Sequence, residues 1–248
     1  MRRRKKYDLY IVVFLALFTI GYFVYNHTSS ESRGVENYST ALEDYKASDY
    51  EKAYQEFGKV PSGSTLKPSA LFRQARCATN MGKNELAIKK YNRIVRNGSK
   101  SSIAPISEYN MANLMFDSND KDAKKHFKKI IKKYPTSDYA IASEYYLGMI
   151  EISNQPKSPK RLAKSQEKAI NYFKNYIEKA PDGRFALKSI EEIIKLDKSL
   201  SNYDNLLIAK GYYANGEFEK SKNFLNKTTL AESWSDFAKN EYKLGNKD

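Results

Sequence analysis

The sequence is poor in the residues that build disulfides and metal sites. Its 248 residues include one cysteine, Cys77, and two histidines, His27 and His126, which lie far apart. A single cysteine excludes an intramolecular disulfide and a thiolate metal cluster. We therefore predict neither a metal nor a cofactor.

Sequence patterns typical of catalysis are also missing. There is no Gly-rich phosphate loop, no Gly-x-Ser-x-Gly elbow and no His-Glu-x-x-His motif. Cys77 lies between small residues in the segment ARCA, which favours a packed core atom over a nucleophile. We expect no enzymatic activity from this chain.

Few residues that break helices are present, since the chain has only 7 prolines and 11 glycines. Strands joined by many turns would need more of both. Basic residues are abundant, with 43 Lys and Arg against 29 Asp and Glu and a net charge of +14. This composition favours a helical protein with strongly basic surfaces.

The amino end has the pattern of a membrane anchor. Five basic residues, Arg2 to Lys6, precede an uncharged apolar run from Leu9 to Tyr25. As a helix this run would span roughly 26 Å, close to the ~30 Å hydrocarbon layer. The basic start favours a cytoplasmic amino end, which would place the residues after the run on the opposite (trans) side of the membrane, outside the cytoplasm.

The boundaries that follow are a basic tail over 1–6, a transmembrane helix over 7–27 and a linker over 28–35. A cleaved signal peptide is the alternative for this region, because such peptides also combine a basic start with an apolar run. The run is longer than usual for a signal peptide and is followed only by the weak candidate cleavage site Thr28-Ser29-Ser30. We expect a retained anchor in the bacterial cytoplasmic membrane.

Residues 36–248 have helical periodicity and an internal repeat of small and large residues. A small residue recurs eleven or twelve positions after another in four units, and a large apolar residue follows four positions later. The first small residues, Ala41, Ala75 and Ala112, are separated by 34 and 37 positions. The complete set predicted to pack within helical hairpins is Ala41, Ala53, Phe57, Ala75, Ala87, Tyr91, Ala112, Ala123, Phe127, Gly148, Ala169, Phe173, Ala209, Ser221, Leu225 and Ala238.

These positions resemble the tetratricopeptide repeat family, whose 34-residue units are helix pairs that cross at small residues. Leu147-Gly148 and the prolines of Tyr134-Pro135 and Ala180-Pro181 also resemble that family. The resemblance implies an all-α fold, an α-solenoid of helical hairpins after the anchor. It also implies a concave face that binds proteins or peptides.

Two parts of the predicted solenoid depart from a regular repeat. We expect a possible break near 183–202, where one helix lacks a partner, and an incomplete last repeat in which Ala238 occupies the first small position. The last helix would cap the array with a polar outer face that includes Asn240.

A basic face is predicted on the helix near residue 127. Lys121, Lys125, Lys128 and Lys132 would share this face. Such a face could meet an anionic lipid, an acidic protein segment or an anionic wall polymer, or could serve only for solubility. The predicted trans-side location argues against nucleic acid as the partner.

Two functions from different classes are compatible with these features. The first is a membrane-anchored scaffold, similar in layout to the ancillary proteins of bacterial secretion channels. The second is the scaffold half of a split or truncated peptidoglycan enzyme, because the helix pairs also resemble the non-catalytic region of soluble lytic transglycosylases. A eukaryotic import receptor is a weaker third candidate, against which the basic start argues.

Overall fold

Helices make up 78% of the computed structural model. The structure describes residues 2–97, 101–153, 156–197, 199–230 and 232–245, and no strand occurs in these ranges. In chain order the helices of the described residues are α1 (Arg2–Lys46), α2 (Tyr50–Lys59), α3 (Lys67–Asn80), α4 (Asn84–Asn97), α5 (Ala104–Asp117), α6 (Ala123–Lys133), α7 (Asp138–Ser153), α8 (Pro159–Lys179), α9 (Ala186–Leu196), α10 (Asn202–Ala214), α11 (Phe218–Leu225) and α12 (Glu232–Lys243).

The chain forms two units, one up to Leu114 and one from Met115 onward. In the first unit α1 packs against α2, and α3 packs against both α2 and α4. In the second unit the sequential pairs from α6 to α9 pack together, and α10 contacts α8, α9, α11 and α12. The predicted all-helical fold built from helical hairpins is therefore confirmed.

Small residues lie inside these hairpins, where two antiparallel helices come closest. Ala41 and Ala53 are both fully buried in the first hairpin, with the ring of Phe57 beside them. The other predicted packing residues are also buried, with the exception of Ala238. Gly148 shows how close the helices approach, because a Cβ atom added there would lie 2.5 Å from the ring of Phe173.

The hairpin turns share one backbone conformation. Seven residues after the first small position of four units, the chain adopts a positive φ angle, at Ser48, Gly82, Asn119 and Gly216. This left-handed conformation ends the first helix and reverses the chain. Glycine and asparagine adopt it readily, whereas Ser48 does so at a cost in backbone strain.

Helix α1 corrects the predicted boundaries at the amino end. The predicted linker over 28–35 is helical, so the helix continues without a break from the apolar run into the first hairpin. Side chains described in the apolar run are exposed, as at Phe14 and Phe23. The segment Val12–Lys46 is long and apolar enough to cross a membrane by length and composition.

The predicted break near 183–202 contains a packed helix. Helix α9 contacts both α8 and α10, and its residues Ile190 and Ile193 are fully buried. The backbone N–H of Phe185, just before α9, donates to the Tyr176 hydroxyl of α8 at 3.1 Å. An additional single helix is therefore inserted into the second unit within its hydrophobic core.

The last helix has a different register from the prediction. Ala238 is exposed, whereas Asn240, expected on the outer polar face, is fully buried. The Asn240 amide donates to the Ser221 hydroxyl at 2.9 Å, and that hydroxyl donates to the Ala209 carbonyl at 2.8 Å. Two linked hydrogen bonds therefore connect α12, α11 and α10, where the prediction had placed a packing contact of Ala238.

The buried thiol of Cys77 leads to a test of the core. Burial raises the pKa of Cys77 from 9.0 to about 11. The thiolate fraction at pH 8 should then be roughly 100-fold lower than for an exposed thiol. We expect an aromatic disulfide reagent at pH 8 to leave Cys77 unmodified in the folded chain and to modify it rapidly in concentrated guanidinium.

The same pKa predicts the direction of the pH effect on stability. The folded chain holds the thiol proton more tightly than the unfolded chain, so this contribution to stability decreases as pH rises from about 9 towards 11. Rapid modification of the folded chain at pH 8 would contradict the buried location of Cys77.

Candidate interaction site

A polar groove in the first unit is the candidate site. Its cavity has a volume of about 300 Å³. Helix α3 contributes Arg76, Thr79 and Asn80, helix α5 contributes Asn110, Asn113 and Leu114, and Tyr91 comes from α4. Most of the lining therefore comes from the first helices of two successive hairpins.

Helical periodicity places the polar side chains of this groove on one face. Arg76 and Asn80 are separated by four residues in α3, and Asn110 and Asn113 by three residues in α5. Arg73 does not line the cavity but lies three residues before Arg76 on the same side of α3. The opposite side of α3 is buried, as at Leu71 and Ala78. Each helix thus buries an apolar side and presents a polar stripe.

One aromatic ring, that of Tyr45, supports Arg76 of the groove and the neighbouring Arg73. The guanidinium carbons of Arg73 and Arg76 lie 5.5 Å and 5.7 Å from the ring centroid of Tyr45. These cation–π contacts hold the side chains without neutralising their charge. Neither arginine forms an ion pair among the described residues.

Tyr91 links the hydrophobic core to the groove. Its ring packs at 5.7 Å against the ring of Phe72, and its side chain is only 2% exposed. Its hydroxyl lies 3.4 Å from the Asn110 amide nitrogen, which donates to it. Burial raises the pKa of Tyr91, so this hydroxyl stays protonated over the physiological range.

The groove has hydrogen-bonding capacity that the described residues do not satisfy. The Oδ1 atom of Asn113 is buried and has no hydrogen-bond partner within the described part of the chain. Arg76 and the amide groups offer donors, and Asn113 offers an acceptor. A peptide backbone carries both donors and acceptors, and a carboxylate would match the arginines.

The lysines predicted as a basic face are placed less uniformly. Lys125, Lys128 and Lys132 are exposed on α6, opposite its buried side, whereas Lys121 lies in the turn before the helix begins. Lys121 lines a separate cavity of about 430 Å³ in the second unit. The neighbouring Lys124 pairs with Glu151 of α7 at 2.7 Å.

The residues predicted for repeat packing form no surface of their own. They lie between helices, apart from Ala238, and Tyr91 alone among them lines the groove. The sequence analysis did not identify the groove residues as a site. Their signal was the polar spacing in α3 and α5, which also occurs on ordinary solvated helix faces.

Among the described residues no group of three or more His, Cys, Asp or Glu side chains could hold a metal ion. The groove instead offers amide groups, hydroxyls and guanidinium groups. These groups bind polar chains and anions.

Comparison with known proteins identifies the repeats. Residues 69–98 and 107–137 match the family model described as tetratricopeptide repeat. These segments contain the α3–α4 pair and most of the α5–α6 pair, including every residue named for the groove except Tyr45.

Other comparisons were made with curated proteins and with solved structures. No curated protein matches this sequence. Among solved structures, the chain is similar to the TPR2AB domain of yeast Sti1 in complex with an HSP90 peptide, with 16% identity and a TM-score of 0.41. That similarity covers 86% of this chain and 98% of the Sti1 chain. The two matched segments are therefore identified as tetratricopeptide repeats.

Proposed function

We propose that this chain is a membrane-anchored scaffold that binds an acidic segment of a partner protein in the groove of its first unit. Tetratricopeptide repeats are protein-interaction modules, which supports the general class. The observation that carries the proposal is the pair of arginines, Arg73 and Arg76, held by Tyr45 without a carboxylate partner.

The amide groups of the groove favour an extended peptide as the ligand. Asn80, Asn110 and Asn113 line the groove together with Arg76. Side-chain amides can pair with the N–H and C=O groups of an extended chain and do not depend on its sequence. The arginines would then select peptides that carry carboxylates.

The anchor is the second part of the proposal. Helix α1 would hold the chain in the cytoplasmic membrane, and the basic residues Arg2 to Lys6 favour an amino end inside the cell. The repeats would then act on the trans side. The exposed lysines of α6 remain a predicted anionic-partner face in this arrangement.

Binding of acidic peptides tests the groove. We expect the purified full chain to bind fluorescent decapeptides rich in Asp and Glu more tightly than matched peptides with Asn and Gln. Replacing both Arg73 and Arg76 with Gln should lower the affinity for the acidic peptides by about tenfold to a hundredfold, because charge-assisted hydrogen bonds are lost. Fluorescence anisotropy at several salt concentrations measures this.

The matched control replaces Lys83 and Lys89 with Gln, since both are exposed cations of the same unit outside the groove. This variant should bind like the original chain. The groove assignment is lost if both double variants bind acidic peptides equally well.

Sidedness is tested with a single new thiol. Lys157 is exposed in the segment before α8, and Cys77 is buried, so K157C provides one reactive cysteine. In intact spheroplasts a membrane-impermeant maleimide should label K157C fully, and the chain should stay in the membrane fraction after alkaline carbonate extraction. Labelling only after the membrane is permeabilised would contradict the trans-side location.

A further inference from the structure

The beginning of the first hairpin is fastened to the loop before α3. The Glu31 carboxylate accepts hydrogen bonds from the Thr65 backbone N–H at 2.7 Å and from the Ser64 hydroxyl at 2.9 Å. Gly34 lies so close to this loop that an added Cβ would be 2.3 Å from the Ser64 hydroxyl oxygen. The Asn37 amide donates to the Lys59 carbonyl at 3.2 Å. Contacts therefore hold α1 to the loop over nearly two helical turns.

The continuous helix fixes the height of this loop above the apolar run. Glu31 follows Tyr25, the end of the run, by six residues of unbroken helix. At 1.5 Å for each residue this is about 9 Å. The headgroup layer is roughly 5–8 Å thick on each side of the hydrocarbon core. The loop around Ser64 would thus lie at the outer edge of the headgroups.

Antiparallel packing brings more elements to the same end of the unit. Because α1 runs away from its apolar end, α2 ends there, α3 begins there and α4 ends there. A cavity of about 340 Å³ opens at this end. Ser62, Thr65, Lys67 and Arg93 supply its polar lining, and Leu71 and Ile94 supply apolar lining.

Positive charge at this end is incompletely neutralised. Burial lowers the pKa of Lys67, and the nearby Arg93 and Lys90 lower it further. The Lys67 amine donates to the carbonyls of Val60 and Gly58, which leaves one of its three donors for another group. Arg93 and Arg96 form no ion pair among the described residues.

The carboxylates of this region are already engaged. Glu31 is bound by the loop, which lowers the pKa of its carboxyl, chiefly through the Thr65 N–H. Glu56 pairs with Lys59 at 2.6 Å. An additional anion would therefore meet Lys67 and Arg93 at the cavity.

We propose that the cavity between Lys67 and Arg93 binds the phosphate groups of anionic phospholipids in the membrane that α1 spans. This inference rests on the proposed anchor and concerns a surface separate from the peptide groove. A lipid is favoured over an acidic protein because the unbroken helix sets the cavity within about one Debye length of the headgroups. The lipid contact would fix the orientation of the first unit relative to the membrane surface.

Lipid selectivity in a bilayer tests this proposal. The full chain is reconstituted into vesicles of phosphatidylcholine that contain a trace of spin-labelled phosphatidylglycerol or spin-labelled phosphatidylcholine. Electron paramagnetic resonance then gives the relative association of the two lipids with the protein. We expect phosphatidylglycerol to be preferred, and R93Q to reduce that preference roughly fivefold because one headgroup-facing charge is lost.

Two further variants make the result specific. The double variant K67Q/R93Q should reduce the preference for phosphatidylglycerol more than R93Q alone. Because R93Q retains Lys67, its result does not depend on any folding defect that loss of Lys67 causes. The control K46Q combined with K83Q removes two exposed cations near the turns at the other end of the hairpins and should leave the preference unchanged. Both changes preserve Arg2 to Lys6, so any lipid preference of that tail is common to all variants.

The possible outcomes separate the two proposals. If alkaline carbonate extracts the chain from the vesicles, both the anchor and the lipid site are contradicted. An inserted chain whose lipid preference is the same in R93Q and in the control contradicts the lipid site alone. A preference for soluble acidic peptide that R93Q removes, with no effect on lipid, would replace the lipid by a protein partner and so overturn the proposal.

Discussion

Close approach of antiparallel helices at small residues is the constraint on which the structure depends. In the packed hairpin α3–α4, Ala75 and Ala87 are both fully buried, which requires small side chains, and the larger Tyr91 of α4 is also buried. The left-handed turn residue seven positions after the first small residue sets the same geometry in four hairpins. With these helices closely packed, the outward faces of α3 and α5 are left for polar side chains.

The arrangement separates two surfaces within the first unit. Lys67 begins α3 at the end nearest the apolar part of α1, and Asn80 ends α3 at the far end. Thirteen residues of helix place them about 20 Å apart. With α1 in a membrane as proposed, a partner in the groove would approach from the side that faces away from it. The continuous helix α1 sets the distance of the first hairpin from the apolar run, which a flexible linker would not.

Much of this architecture could be predicted from residue spacing, and the errors have physical causes. The small and large positions near Ala41, Ala75 and Ala209 follow directly from the repeat, because close packing strongly restricts side-chain volume. The linker prediction was wrong because Ser29, Ser30 and Gly34 favour a break locally. Their tertiary contacts, such as that of Gly34 with Ser64, stabilise helix instead.

Other features left only weak signals in the sequence. A buried Asn240 could not be predicted, because amides are usually exposed and its partner Ser221 lies in another helix. The groove was missed because a stripe of polar residues such as Arg73, Arg76 and Asn80 is also typical of a solvated helix face. Its significance depends on the neighbouring helix α5, whose position is set by tertiary packing.

A volume series at one small position tests the packing constraint most directly. Ala87, fully buried between helices, and Ala238, exposed on α12, are each replaced by Ser, Val and Leu. Chemical denaturation should show a free energy of unfolding that decreases with side-chain volume at position 87, by about 1–3 kcal/mol for the larger residues, and changes by less than about 0.5 kcal/mol at position 238. Equal tolerance of Leu at both positions would contradict the account.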